Sequence, residues 1–219
     1  MVDNTASGAD RAQPEHRPPA KRRRDATATR QAILDAAITA FTRHGYDGVG
    51  VRDIAHSAGV TAMLINRYFG SKEQLFAEAV DVASAPRTVI AGTGPELAGE
   101  SARALVARTA PEAEELGPFL IMLKSAPNPR AAQIICEAIE RHPGRHLREE
   151  LSGPGAEVRA ELMLAIQAGV WLMRNVLRTT ALAEAEPEQL AQRIESLFQT
   201  LTSSAPESPG TAPPRSAQR

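Results

Sequence analysis

Arg52, Thr61, Asn66, Arg67, Tyr68 and Lys72 fall close together, interleaved with Ala62, Met63 and bulkier apolar residues. Guanidinium and ammonium groups bind phosphates or guanine edges, hydroxyls donate to phosphate oxygens, and a carboxamide can pair bidentately with adenine. This is chemistry of recognition rather than of bond making. The patterns that would support catalysis do not occur in the sequence. It has no phosphate-cradling glycine loop, no nucleophile elbow and no Cys/His pair. His142 and His146 stand one helical turn apart without a carboxylate pattern beside them, so neither a metal nor a cofactor is expected. The single cysteine, Cys136, lies in an apolar helical stretch and is expected to be a small core residue. An enzyme is therefore not expected.

Over its 219 residues the chain has a formal net charge of −1, which by itself indicates no partner. The distribution says more. From Lys21 to Lys72 there are nine basic residues (Lys21, Arg22, Arg23, Arg24, Arg30, Arg43, Arg52, Arg67, Lys72) against Asp25, Asp35, Asp47 and Asp53, and the remainder is acidic. A basic end on an otherwise acidic chain is suited to meeting a polyanion.

The elements that must position these residues are helices. Apolar residues recur at helical spacing, nothing alternates with period two for long, and the fold class is all-α. Residues 1–26 and 203–219 are rich in Pro, Ala and small polar residues and are expected to be a disordered basic arm and a disordered tail. A first helix is expected from Thr27 or Thr29, with Ile33, Leu34, Ala37, Ile38 and Phe41 on one face and Gly45 as its stop. Short helices over Val51–Ser57 and Ala62–Tyr68 follow, and a longer one begins after Ser71. Further helices are expected near 95–109, 117–125, 129–150, 156–178 and 187–201, with Pro143-Gly144 kinking or splitting the third of these.

Residues 50–69 read as two short helices joined by a tight turn. Ile54 and Ala55 face the core, Gly59 supplies a left-handed turn residue, Val60 plugs the angle between the helices, and Thr61 can cap the second helix. Leu64, Ile65, Tyr68 and Phe69 anchor that helix, which leaves Ala62, Met63, Asn66 and Arg67 for its outer surface. A helix so presented fits a major groove with its N-terminal half at the base edges.

Over roughly residues 27–87 the sequence resembles the tetracycline-repressor family of transcriptional regulators. The resemblance is carried by Phe41-x-x-x-Gly45-Tyr46, Val51-Arg-Asp-Ile-Ala55, Ala58-Gly-Val-Thr61 and Tyr68-Phe-Gly-Ser-Lys72-Glu-x-Leu75-Phe76. It implies a three-helix DNA-binding domain over 27–87 and a helical effector-binding and dimerisation domain over 88–202. It also implies that Arg52, Thr61, Ala62, Met63, Asn66 and Arg67 lie at or near the groove, Tyr68 beside it, and Lys72 next to a phosphate. Two positions depart from the pattern. Gly50 stands where a Ser or Thr usually caps the second helix, and Asn66 where an aromatic residue is usual, which puts a backbone contact there in doubt; an asparagine could instead pair with adenine. The run Lys21-Arg22-Arg23-Arg24, on the arm, either reaches the adjacent minor groove or backbone or is merely a solvated charge run.

In the second half, the apolar segment 156–178 and the stripe Leu190, Ile194, Leu197, Phe198 and Leu201 are the expected homodimer interface. An effector pocket is expected among Phe119, Met122, Leu123, Ile135, Cys136, Ile139, Met163, Ile166, Gln167 and Trp171. The resemblance implies a cytoplasmic, nucleoid-associated homodimer that binds a palindromic double-stranded operator and is released by a small apolar effector, with no membrane involvement. Activation, or control by a protein partner, is the alternative.

Overall fold

The computed structural model describes residues 19–84, 90–110, 113 and 117–203. Residues 1–18 of the expected arm and 204–219 of the expected tail lie outside them. Among the described residues there is no strand. The helices are α1 (Pro19–His44), α2 (Val51–Ser57), α3 (Ala62–Phe69), α4 (Lys72–Ser84), α5 (Leu97–Arg108), α6 (Gly117–Ser125), α7 (Pro129–Ile139), α8 (Arg145–Glu150), α9 (Ala156–Trp171), α10 (Thr180–Ala183) and α11 (Pro187–Thr202). The expected break at Pro143-Gly144 is a π turn, Glu140–Gly144, that joins α7 to α8. A second π turn, Leu172–Val176, continues α9.

The first helix corrects the expectation of a flexible basic arm. It begins at Pro19, not at Thr27 or Thr29, so Lys21-Arg22-Arg23-Arg24 occupies its opening turns. Proline suits the first helical position, and the Ala, Lys and Arg that follow are good helix formers. Thr29, a candidate cap, instead turns its hydroxyl back onto the Asp25 carbonyl at 2.8 Å, a bond made inside a helix.

Two apolar cores divide the molecule. The first takes Ile33, Leu34, Ala37 and Phe41 from α1, Ile54, Ala55, Ile65 and Phe69 from α2 and α3, and Leu75, Phe76, Ala79 and Val80 from α4. It is completed by Ile121 of α6 and by Ala131, Ile134, Ile135 and Ala138 of α7. The second joins Leu97, Ala102 and Leu105 of α5 to Leu147 of α8, Met163 and Trp171 of α9, and Leu190, Ile194 and Phe198 of α11. Packing therefore does not part where the chain leaves α4, because α6 and α7 return to the first core. The α11 stripe expected at a dimer interface is largely covered within the subunit; of its large residues Leu197 remains exposed.

Polar clasps at two helix ends help hold the assembly. Lys124 at the end of α6 donates to the carbonyls of Thr42 (3.1 Å) and Arg43 (2.8 Å) at the end of α1. There a cation satisfies orphan carbonyls and opposes the helix dipole. In the second core the buried Arg174 does the same for α5, donating to Val106 O at 2.9 Å and Thr109 Oγ1 at 2.8 Å, while Asn175 donates to Thr109 O at 3.1 Å.

Candidate nucleic-acid interface

Each of the two short helices is fixed locally. Gly50, at the start of α2, has no side chain with which to cap it, but the Asp53 carboxylate accepts from the Gly50 backbone N–H at 2.8 Å, retaining half of a reciprocal cap. At the turn Gly59 adopts φ +66°, and the Val60 N–H then returns to Ala55 O at 2.9 Å. An L side chain would be strained there. Thr61 occupies the cap position of α3, yet its hydroxyl makes no capping bond, contrary to expectation. At the far end the Ser71 hydroxyl accepts from the N–H of Gln74 at 3.1 Å and so caps α4.

Helix α3 is held from beneath by Ile65 and Phe69, both buried, with Leu64 and Tyr68 half-buried. Its outer face carries Met63, Asn66 and Arg67, all exposed, with Ala62 half-buried beside them and the exposed Thr61 at its head. Among the described residues the side chains of Asn66 and Arg67 make no hydrogen bond and so keep their polar groups for a ligand. Arg52 is exposed near the start of α2. Tyr68 packs partly into the first core. Lys72, the first residue of α4, holds its ammonium 4.4 Å from the centre of the Tyr46 ring. Burial, and then the Glu73 and Asp47 carboxylates, push the Tyr46 phenol above its ordinary value, so the ring beneath Lys72 stays neutral.

The surface thus assembles Thr61, Ala62, Met63, Asn66 and Arg67 on one short helix, with Arg52 and Lys72 on the flanking helices. The side chains of Lys21, Arg22, Arg23 and Arg24 are outside the description, which places only their backbone in α1.

The expected effector residues do not form one group. Phe119, Met163, Ile166 and Trp171 belong to the second core, and the Phe119 and Trp171 rings are 5.8 Å apart. Gln167 is buried beside them, and its Nε2 has no hydrogen-bond partner. Met122, Ile135 and Ile139 pack instead with the first core. Leu123 and Cys136 are exposed, which removes both from an enclosed pocket and corrects the reading of Cys136 as a core residue. The reason lies in helix phase: Ala131, Ile134, Ile135 and Ala138 form the buried stripe of α7, and Cys136 projects off it.

Three structural placements were missed in the sequence: Arg174, Lys124 and Asp81. Asp81 on α4 accepts from His142 at 2.8 Å and pairs with Arg141, tying α4 to the first π turn. Each is defined by a contact between distant helices, which spacing along the chain does not reveal. Among the described residues no three His, Cys, Asp or Glu side chains are grouped to hold a metal, and no helix is long and apolar enough to cross a membrane.

Comparison with known proteins agrees with this arrangement. A family model described as "Bacterial regulatory proteins, tetR family" matches residues 33–79, and one described as "Tetracyclin repressor-like, C-terminal domain" matches residues 96–201. The regulator BetI of Agrobacterium fabrum is 47% identical over 51 residues, 23% of this chain and 25% of its own length. The repressor AcnR of Corynebacterium glutamicum is 42% identical over 50 residues, 23% of this chain and 27% of its own. These matches therefore span about a quarter of each relative. Among solved structures, the multidrug-binding protein EbrR complexed with ethidium superposes with a TM-score of 0.58 at 20% identity, over 80% of this chain and 99% of that one, which establishes likeness of fold. The relatives it matches are named as transcriptional regulators, and the chain belongs to the tetracycline-repressor family.

Proposed function

We propose that the chain is a cytoplasmic, ligand-released repressor that acts at the nucleoid as a homodimer on a palindromic operator. The observation that carries this reading is α3 itself, an anchored helix whose outer face offers Met63, Asn66 and Arg67 with their polar groups unengaged. Arg67 and Arg52 take guanine or phosphate, Thr61 and Lys72 take phosphate, and the opening turns of α1 add a salt-sensitive contact through Lys21–Arg24.

Dimerisation through α9 and α11 is supported by apolar residues left exposed there: Val158 and Leu162 on α9, Met173, Val176 and Leu177 just beyond it, and Leu197 on α11. A two-fold pairing would cover them and set two α3 helices toward successive major grooves, about 34–36 Å apart. For the effector, the structural neighbour EbrR, a multidrug-binding protein, was solved in complex with ethidium. Here the aromatic pair Phe119 and Trp171, with Gln167 beside it, is the reading's effector site. Binding there would favour a dimer in which the two α3 helices no longer match the operator.

The test is binding of the purified protein to its own upstream intergenic DNA across a salt series, with Arg67→Ala alongside. Specific, salt-dependent binding at a two-fold symmetric site, weakened about tenfold in the variant, is the expected result. A folded dimer that binds neither this region nor a genomic fragment library would overturn the reading.

A further inference from the structure

Among the described residues, Met63 is the large apolar side chain most open to solvent, at 80%. It is the second residue of α3, and with Asn66 and Arg67 at i+3 and i+4 it shares one face of the helix. A thioether side chain makes chiefly apolar contact in a groove, its sulfur being a weak acceptor, and the apolar group that the major groove displays is the C5-methyl of thymine. Asn66 carries a donor and an acceptor side by side, which match N7 and the N6 amino group of adenine. Three residues advance a helix by about 4.5 Å, while base pairs along a strand are about 3.4 Å apart. Met63 and Asn66 therefore fall on neighbouring base pairs, and both find their partner in A·T. A G·C pair has neither the methyl group nor the adenine edge. Ala62 adds a second small apolar group beside Met63, and Leu64 and Ile65 turn inward, so nothing at this end of the helix asks for guanine.

We propose that each operator half-site is read by α3 at an A·T step, with Met63 against a thymine methyl and Asn66 paired to an adenine in the same or the adjacent base pair. This rests on the DNA-binding reading above, and it adds the base chemistry that the helix selects. Arg67 is left to the flank, as a phosphate or guanine contact.

The experiment removes single atoms from the DNA. A high-affinity duplex is first enriched from a random library with the full-length protein. Each half-site thymine is then replaced by deoxyuridine, which lacks the methyl, and each adenine by 7-deazaadenine, which lacks N7. Affinities are measured for the wild type, Met63→Ala and Asn66→Ala. Both side chains are exposed and bear no load in the core, and an unchanged thermal midpoint confirms that the variants are folded. One thymine is expected at which deoxyuridine costs the wild type about fourfold and costs Met63→Ala nothing. At an adenine in the same or the adjacent pair, 7-deazaadenine costs the wild type about tenfold and leaves Asn66→Ala unaffected. If deoxyuridine is tolerated at every position, or its cost persists in Met63→Ala, the assignment of Met63 is overturned while DNA binding stands. If 7-deazaadenine behaves likewise with Asn66→Ala, the assignment of Asn66 is overturned. Enrichment of no sequence by the folded protein would overturn the DNA-binding reading and this inference with it.

Discussion

The two cores handle polar groups in opposite ways. In the first, Asn66, Arg67 and Arg52 point outward, and the interior around Phe41, Tyr46 and Phe76 is a cluster of rings, with Phe76 5.0 Å from Phe41 and 4.9 Å from Tyr46. In the second, Arg174, Thr109 and Gln167 are buried, and Gln167 Nε2 and Asn175 Oδ1 lack partners. A unit that reads a fixed ligand gains from rigidity, which aromatic packing and capped turns provide. A unit that changed packing when a ligand arrived would retain polar groups not fully paired. On the proposed reading, the head is built to hold its shape and the second core to be repacked.

The strongest way to break that comparison is to weaken one core and watch the other. Phe76→Ala removes a fully buried ring and is expected to cost about 3–5 kcal/mol in the first core, together with DNA binding. Trp171, the single tryptophan, lies in the second core and reports on it alone. In urea, the helical circular dichroism of the variant should begin to fall before the Trp171 fluorescence changes. Coincident transitions would mean one cooperative unit and would erase the distinction.

A smaller effect tests the joint between the two regions. Gly45 and Gly59 both have positive φ, at +70° and +66°. A Cβ on Gly59 would meet nothing within 4 Å, whereas one on Gly45 would stand 2.6 Å from Lys124 O, where α6 lies against the end of α1. Gly59→Ala should therefore cost about 1–2 kcal/mol from backbone strain alone. Gly45→Ala should cost that plus about 1–3 kcal/mol of overpacking. Equal losses in thermal unfolding would mean that α6 is not closely seated on α1.

What the sequence disclosed follows the same division. Gly45, Gly59, Ser71 and the anchors Ile65 and Phe69 act within a few residues of their neighbours, so local spacing revealed them. The start of α1 was misplaced because composition treated Ala20–Arg24 as too poor in bulk to order, although those residues favour a helix strongly. In α7 the buried stripe was legible, and Cys136 sits off it by phase; the effector residues were grouped by apolar character without regard to that phase. Which helix meets which was not legible at all. Met122 and Phe119 are three residues apart on α6 and pack with different cores, and Arg174 has its role only because the carbonyl end of α5 comes to it.

The mildest perturbation has the opposite sign. Gln167 is 6% exposed and its Nε2 makes no hydrogen bond, so the folded state bears the cost of a desolvated donor. Gln167→Leu keeps nearly the same volume and removes that donor. It is expected to stabilise the second core by about 1 kcal/mol, read as a later Trp171 fluorescence transition in urea, with operator affinity unchanged. On the proposed reading the amide is there for a ligand, and the variant should correspondingly respond less to any effector that releases the wild type. A loss of stability would mean that the amide is satisfied in solution, and the second core would then be as settled as the first.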